Sequence, residues 1–123
     1  MVTCEEYMEE GIVVLTPTEK WLTADVIREI DVLSIASAAK HVIVDFKQIQ
    51  CIVSASLFPD AEPFGPLFRL HFKLQKAERR LVLCELDPSF AEILQVTRYD
   101  KIFLVQPDLK KARSAALRSS TNR

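Results

Sequence analysis

Hydrophobic positions follow two rhythms along this chain. Short runs rich in β-branched residues, "GIVVL" (11–15), "HVIVDF" (41–46), "RLVLCEL" (80–86) and "KIFLVQ" (101–106), read as strands. "VTCEEYM" (2–8) is a weaker strand, and Glu10-Gly11 offers a turn that would pair it with "GIVVL" as a hairpin. Between these runs the apolar period lengthens to three and four. In "TADVIREIDVLSIASAA" (23–39), Val26, Ile30, Leu33 and Ala36 recur at helical spacing. Thr23 reads as the N-cap of that helix, with Leu22 and Ile27 placed to form a hydrophobic staple across it. "GPLFRLHFKLQKAE" (65–78) puts Leu67, Leu70 and Leu74 on one face, with Pro66 suited to the first helical position. "DPSFAEILQVTRYD" (87–100) opens with Asp87 as cap and Pro88 behind it, and would bury Phe90, Ile93 and Leu94. A last amphipathic helix runs from Asp108 to about Arg118 on Leu109, Ala112 and Ala116, and "SSTNR" (119–123) reads as a frayed tail.

The resulting order is β-β-α-β-α-β-α-β-α. It predicts an α/β fold: a mixed, mostly parallel sheet of about four or five strands, with about four helices packed on it. No internal repeat or Gly/Ser-rich linker divides the chain, so residues 1–118 are expected to be a single domain. A length of 123 residues, 49% hydrophobic content and only two glycines suit a globular domain with one continuous core.

A net charge of -1 gives no pull toward nucleic acid or anionic membranes. Aromatic residues, at 8%, are not interleaved with arginines as a base-stacking surface would require. The start "MVTCEEYMEE" is acidic where a secretory signal would be basic, and no apolar run approaches the roughly 18 residues of a membrane span. A cytoplasmic chain complete in itself, with no nucleic-acid or membrane partner, is expected. Cys4, Cys51 and Cys84 are odd in number and far apart, which suggests no disulfide framework, and Cys84 reads as a small core residue.

Catalytic signatures are absent: there is no GxSxG elbow, no GxxxxGK[ST] loop and no GxGxxG. His41 and His71 have no Cys or His at ligand spacing and read as surface or helix-face residues. Ser54, His71 and Asp60 can be written as a triad, but three common residue types in a short stretch predict no geometry. The basic run of Lys110, Lys111 and Arg113 reads as a solvated helix face. The protein is therefore expected not to be an enzyme, and to carry no metal or cofactor.

The unusual stretch is "CIVSASLFPDAEPFGP" (51–66), where Ser-Ala-Ser is followed by Pro59, Pro63 and Pro66. By the pre-proline restriction, a helix starting at Ser54 should stop near Leu57 or Phe58, and the chain should stay extended until "LFRLHFKL". Two roles are open for Ser54. As an N-cap its hydroxyl would contribute roughly 0.5–2 kcal/mol relative to alanine. As a phosphoacceptor at a helix start it would place the phosphate at the positive end of a helix dipole, although Asp60 and Glu62 would repel it. Phe58 and Phe64 are expected to tuck into the core; a stiff proline-rich contact surface is the other reading of the loop.

From "GIVVLTP" to "DLKKARSAAL" the chain resembles STAS domains, the fold of bacterial anti-sigma-factor antagonists. "HVIVDF" is similar to the family's strand ending in an apolar-Asp turn, and "VSASL" (53–57) stands where that family has Asp-Ser-[Ser/Ala/Thr]-Gly-Leu. "RLVLCELDPSFAEILQVTRYDKIFLV" is similar to its strand, Pro-bearing turn, helix and last strand. The resemblance implies a non-enzymatic regulator that binds an anti-sigma factor, a serine-kinase-like protein, through Val53, Ser54, Ala55, Ser56, Leu57, Phe58 and Asp60. It makes Ser54 the candidate phosphorylation site, with Ser56 the weaker candidate. Val53 replaces the motif aspartate, Ser56 replaces its glycine, "FPDAEPFG" (58–65) is inserted, and the acidic residue at the start of the first helix becomes Thr23 or slips to Asp25. These departures motivate a second reading, a scaffold or assembly protein that self-associates without phosphorylation. A small-ligand sensor with an apolar pocket near the insert ranks third.

Overall fold

The computed structural model describes residues 1–53 and 59–118. β1 (Val2–Tyr7) and β2 (Ile12–Pro17) form the antiparallel hairpin, with Val2 opposite Pro17 and Tyr7 opposite Ile12. Its turn needs the left-handed backbone of Gly11, at φ +69°, which a residue without Cβ adopts without strain. There follow β3 (Trp21–Leu22), α1 (Ala24–Ala36), β4 (His41–Asp45), β5 (Cys51–Ile52), a 3-10 turn (Pro59–Ala61) and α2 (Phe64–Lys76). The chain ends with β6 (Arg80–Cys84), α3 (Pro88–Thr97), a second 3-10 turn (Tyr99–Lys101), β7 (Leu104–Gln106) and α4 (Leu109–Arg118).

The main sheet has the order β1-β2-β4-β6-β7, and every pairing beyond the hairpin is parallel. Period-two alternation divides its strands between two cores. Val13, Leu15, Val42, Val44, Leu81 and Leu83 face one side, with Ile27, Ile30, Leu67, Leu70, Leu74 and Phe90 of the helices. Ile12, Val14, Ile43, Val82 and Cys84 face the other, where α4 contributes buried Ala112 and Ala116 with Leu109 half-buried against them. Because helices cover both faces, the inner strands read as unbroken apolar runs. β1 is an edge strand that exposes Glu5 and Glu6, charges that discourage another sheet from pairing with it.

Thr23 caps α1 as expected, its hydroxyl accepting the Val26 amide at 3.3 Å, and Leu22 and Ile27 are both buried. Asp87 caps α3, accepting the Ser89 amide at 3.1 Å. An aromatic cluster fastens α2. Phe64 lies 5.4 Å from Tyr99 and 6.3 Å from Phe90, and Phe68 stacks on Phe103 at 5.0 Å. Such pairs contribute about 0.5–1.5 kcal/mol each beyond the area they bury. The expected burial of Phe64 holds in part, since it is half-buried against the core.

Four details differ from the sequence reading. Ala36 is exposed and Ser34 is buried in its place, because ten residues past Val26 a helix has turned about 280°. Ile93 is half-buried, not buried. β7 starts only at Leu104, because Tyr99–Lys101 forms a 3-10 turn. Finally, α2 starts at Phe64, so Pro66 is its third residue and Pro63 already has helical φ/ψ of -87° and -18°. First-turn amides need no intrahelical acceptor, and Gly65 lacks the Cβ that would clash with the ring of Pro66, so the pre-proline restriction does not delay the helix.

Candidate functional site

Residues 54–58 fall outside the described residues, so Ser54, Ala55, Ser56, Leu57 and Phe58 are known here through their flanks. On the entry side, β5 pairs in parallel with β3, Trp21 opposite Cys51 and Leu22 opposite Ile52. The Lys20 carbonyl accepts from the Gln50 and Cys51 amides at 2.8 and 3.1 Å, and the Leu22 carbonyl accepts from Val53 at 3.2 Å. This two-stranded ribbon, absent from the predicted order, ties the segment to the N-terminus of α1. Further upstream, Asp45 ends β4 as a buried carboxylate whose Oδ1 accepts the Lys47 amide at 3.0 Å, turning the chain out of the sheet.

Val53 is only 8% exposed, so its side chain packs inward and offers a partner little surface. Asp60 is exposed in the 3-10 turn on the exit side, and that turn contacts α1. Trp21, beside β5, is 51% exposed.

Glu62 was not singled out as a site residue, yet it organises the start of α2. Its carboxylate accepts the Phe64 amide at 2.6 Å and the Gly65 amide at 3.2 Å. Pro66 has no amide proton, and the Leu67 amide donates to the Pro63 carbonyl at 3.0 Å. The first turn of α2 is thus satisfied without any serine, and a carboxylate already occupies the positive end of its dipole. The signal was legible as an acidic residue two before the helix, but the late helix start predicted from the prolines hid it.

At the start of α1, Thr23 is the cap and Asp25 is exposed and paired with Arg28. His71 lies seven residues into α2, about 10 Å along the axis from its start, so Asp60 and His71 form no catalytic unit. His41 is not a surface residue: it is 7% exposed, because β4 is covered on both faces. In the basic run, Lys110 and Lys111 are exposed, whereas Arg113 is half-buried, bonds Glu10 at 3.0 and 2.9 Å and lies over the Tyr7 ring. Cys84 is buried in the core, and burial first, then the Asp45 charge, pushes its thiol pKa up to about 12. Among the described residues no group of three or more Cys, His, Asp or Glu could hold a metal ion, and no helix is long and apolar enough to cross a membrane.

No family profile and no curated protein matches this chain. Solved structures do. An anti-sigma factor antagonist from Mycobacterium paratuberculosis is similar at a TM-score of 0.73 and 18% identity, over 94% of this chain and 92% of that one. The anti-sigma-factor antagonist (STAS) domain protein from Planctomyces limnophilus gives 0.67 and 17%, over 94% and 97%. The chain has the fold of a STAS domain. The anti-sigma factor antagonist SpoIIAA in its unphosphorylated form gives 0.68 and 13%, over 97% of both chains. The Bacillus SpoIIAA in its phosphorylated form gives 0.58 and 14%, over 86% and 91%. The STAS fold thus accounts for the whole described architecture, from hairpin to terminal helix.

Proposed function

We propose that this STAS-fold protein is a non-enzymatic regulator, an anti-sigma-factor antagonist that docks a partner through the segment from Ser54 to Phe58 together with Asp60, with Ser54 as its phosphoswitch. The observation that carries the reading is the near full-length likeness to antagonists of anti-sigma factors, one of which is solved both with and without phosphate, combined with "VSASL" standing between β5 and α2. The partner is an anti-sigma factor with serine-kinase character. Exposed Trp21 and Asp60 flank the segment and extend the contact, while buried Val53 anchors it.

Phosphorylation of Ser54 adds about two negative charges. The first-turn amides of α2 are engaged by Glu62, so no open helix end on α2 receives the phosphate. Its charge acts instead on the docked partner and against the carboxylates of Asp60 and Glu62. The test is to map phosphate on protein purified from the cells that make it, and after incubation with its kinase, by mass spectrometry. Modification at Ser54 supports the switch; an unmodified Ser54, with partner binding unchanged in Ser54→Asp, removes it.

A second reading, assembly without phosphorylation, draws on Val53 and Ser56, which alter the motif a kinase would read. Light scattering separates the two: a defined high-order complex supports assembly, and a monomer or small dimer supports the switch.

A further inference from the structure

At the N-terminal ends of β4 and β6 lies an open cavity of about 640 Å³. That volume falls in the range of small-molecule sites, roughly 300–1,000 Å³. The parallel register sets His41 opposite Arg80, with Lys40 just before it, while α2 brings His71 to the same wall. Neither Lys40 nor Arg80 is ion-paired to a described residue, and the cavity's one carboxylate is that of Glu78. Arg79 is committed to structure, its Nη2 donating to the Ser34 and Ala39 carbonyls at 2.9 Å each. The remaining wall holds the Gln75 amide and the apolar Leu81, Ile102 and Leu104.

Both imidazoles carry an enclosed Nδ1 with no hydrogen-bond partner, as does Nε of Arg80. A neutral ring whose Nδ1 has no acceptor is free to carry its proton on Nε2. Two imidazoles, an ammonium and a guanidinium therefore line a space that also has one carboxylate, the Gln75 amide and an apolar side. Burial, followed by the charges of Arg80, Lys40 and Arg79, holds the His41 pKa below its ordinary value, as burial does for His71.

We propose that this cavity binds a small phosphate monoester, the phosphate held by Arg80, Lys40 and the two histidines, the body lying on Leu81, Ile102 and Leu104. A dianion matches two unpaired fixed cations, and the volume exceeds what inorganic phosphate fills. The proposal is independent of the Ser54 reading.

The experiment titrates the full chain with phenyl phosphate, inorganic phosphate and phenol while following the imidazole ring protons of His41 and His71 by NMR. Phenyl phosphate is expected to give saturable shifts with a Kd of about 0.1–1 mM, and inorganic phosphate to bind more weakly. Lys40→Gln and Arg80→Gln should each raise the Kd about five- to tenfold. Lys40 is exposed, so its variant carries the test if Arg80→Gln does not fold. Three outcomes overturn the proposal: no saturable shift with phenyl phosphate, phenol or inorganic phosphate binding equally well, or Lys40→Gln binding as tightly as the parent.

Discussion

Glu62 is where the architecture of the candidate site can be tested by stability alone. Replacing it with alanine removes both carboxylate oxygens and leaves the Phe64 and Gly65 amides without a protein acceptor. Losing a cap of this kind costs about 0.5–2 kcal/mol, and losing a negative charge at a helix N-terminus about 0.3–1 kcal/mol more. Glu62 is half-buried, so water restores part of the bonding, and a total near 2 kcal/mol is expected. For a domain of this size that lowers Tm by roughly 6–10 °C. Glu62→Gln keeps one acceptor oxygen and loses the charge, and should cost about half as much. Urea unfolding of the parent, Glu62→Ala, Glu62→Gln and Ser54→Ala provides the comparison. The predicted result is a graded loss at position 62, with Ser54→Ala within about 0.5 kcal/mol of the parent. If Glu62→Ala is silent while Ser54→Ala costs about 1 kcal/mol, the serine is the cap and the reasoning fails.

Other consequences are open to simple assays. Both histidines titrate below the ordinary value of 6.5, so the unfolded chain binds more protons in mild acid. Stability should be level above about pH 7.5 and fall as the pH drops through about 6.5, and a flat profile in chemical unfolding contradicts that. Thiol labelling in native buffer should modify exposed Cys4 first, half-buried Cys51 more slowly, and Cys84 only at the rate of global unfolding; fast labelling of all three disproves the burial argument. Arg98 closes α3 in the left-handed region at φ 65°, so Arg98→Gly should raise stability by about 0.5–1 kcal/mol in the same urea assay, and an unchanged or lower midpoint would count against strain there.

Most of the fold was legible because its elements repeat their own period. Val13, Leu15, Val42 and Val44 alternate with Ile12, Val14 and Ile43, and that two-sided burial is what a covered parallel sheet writes into a sequence. The caps Thr23 and Asp87 were legible for the same local reason. β3 and β5 were not, since two residues carry no period and their pairing is set by the tertiary contact of Lys20 and Leu22 with residues 50–53. The pre-proline restriction alone puts the start of α2 too late, because Gly65 before Pro66 relieves it. The wall of His41, His71 and Arg80 was invisible because it exists only once β4 and β6 are in register and α2 is folded back on them. Ser54 stands out through the Ser-Ala-Ser step before the prolines, and only the resemblance singles it out as the phosphorylation candidate; periodicity says nothing of it.

The most direct test of the regulatory reading is recovery of a partner from native lysate on immobilised parent, Ser54→Ala and Ser54→Asp proteins, compared side by side. The account predicts that one protein is retained by the parent and Ser54→Ala and lost from Ser54→Asp, and that it phosphorylates the parent at Ser54 when ATP is added. Equal recovery on all three, with no phosphate on Ser54, would contradict it.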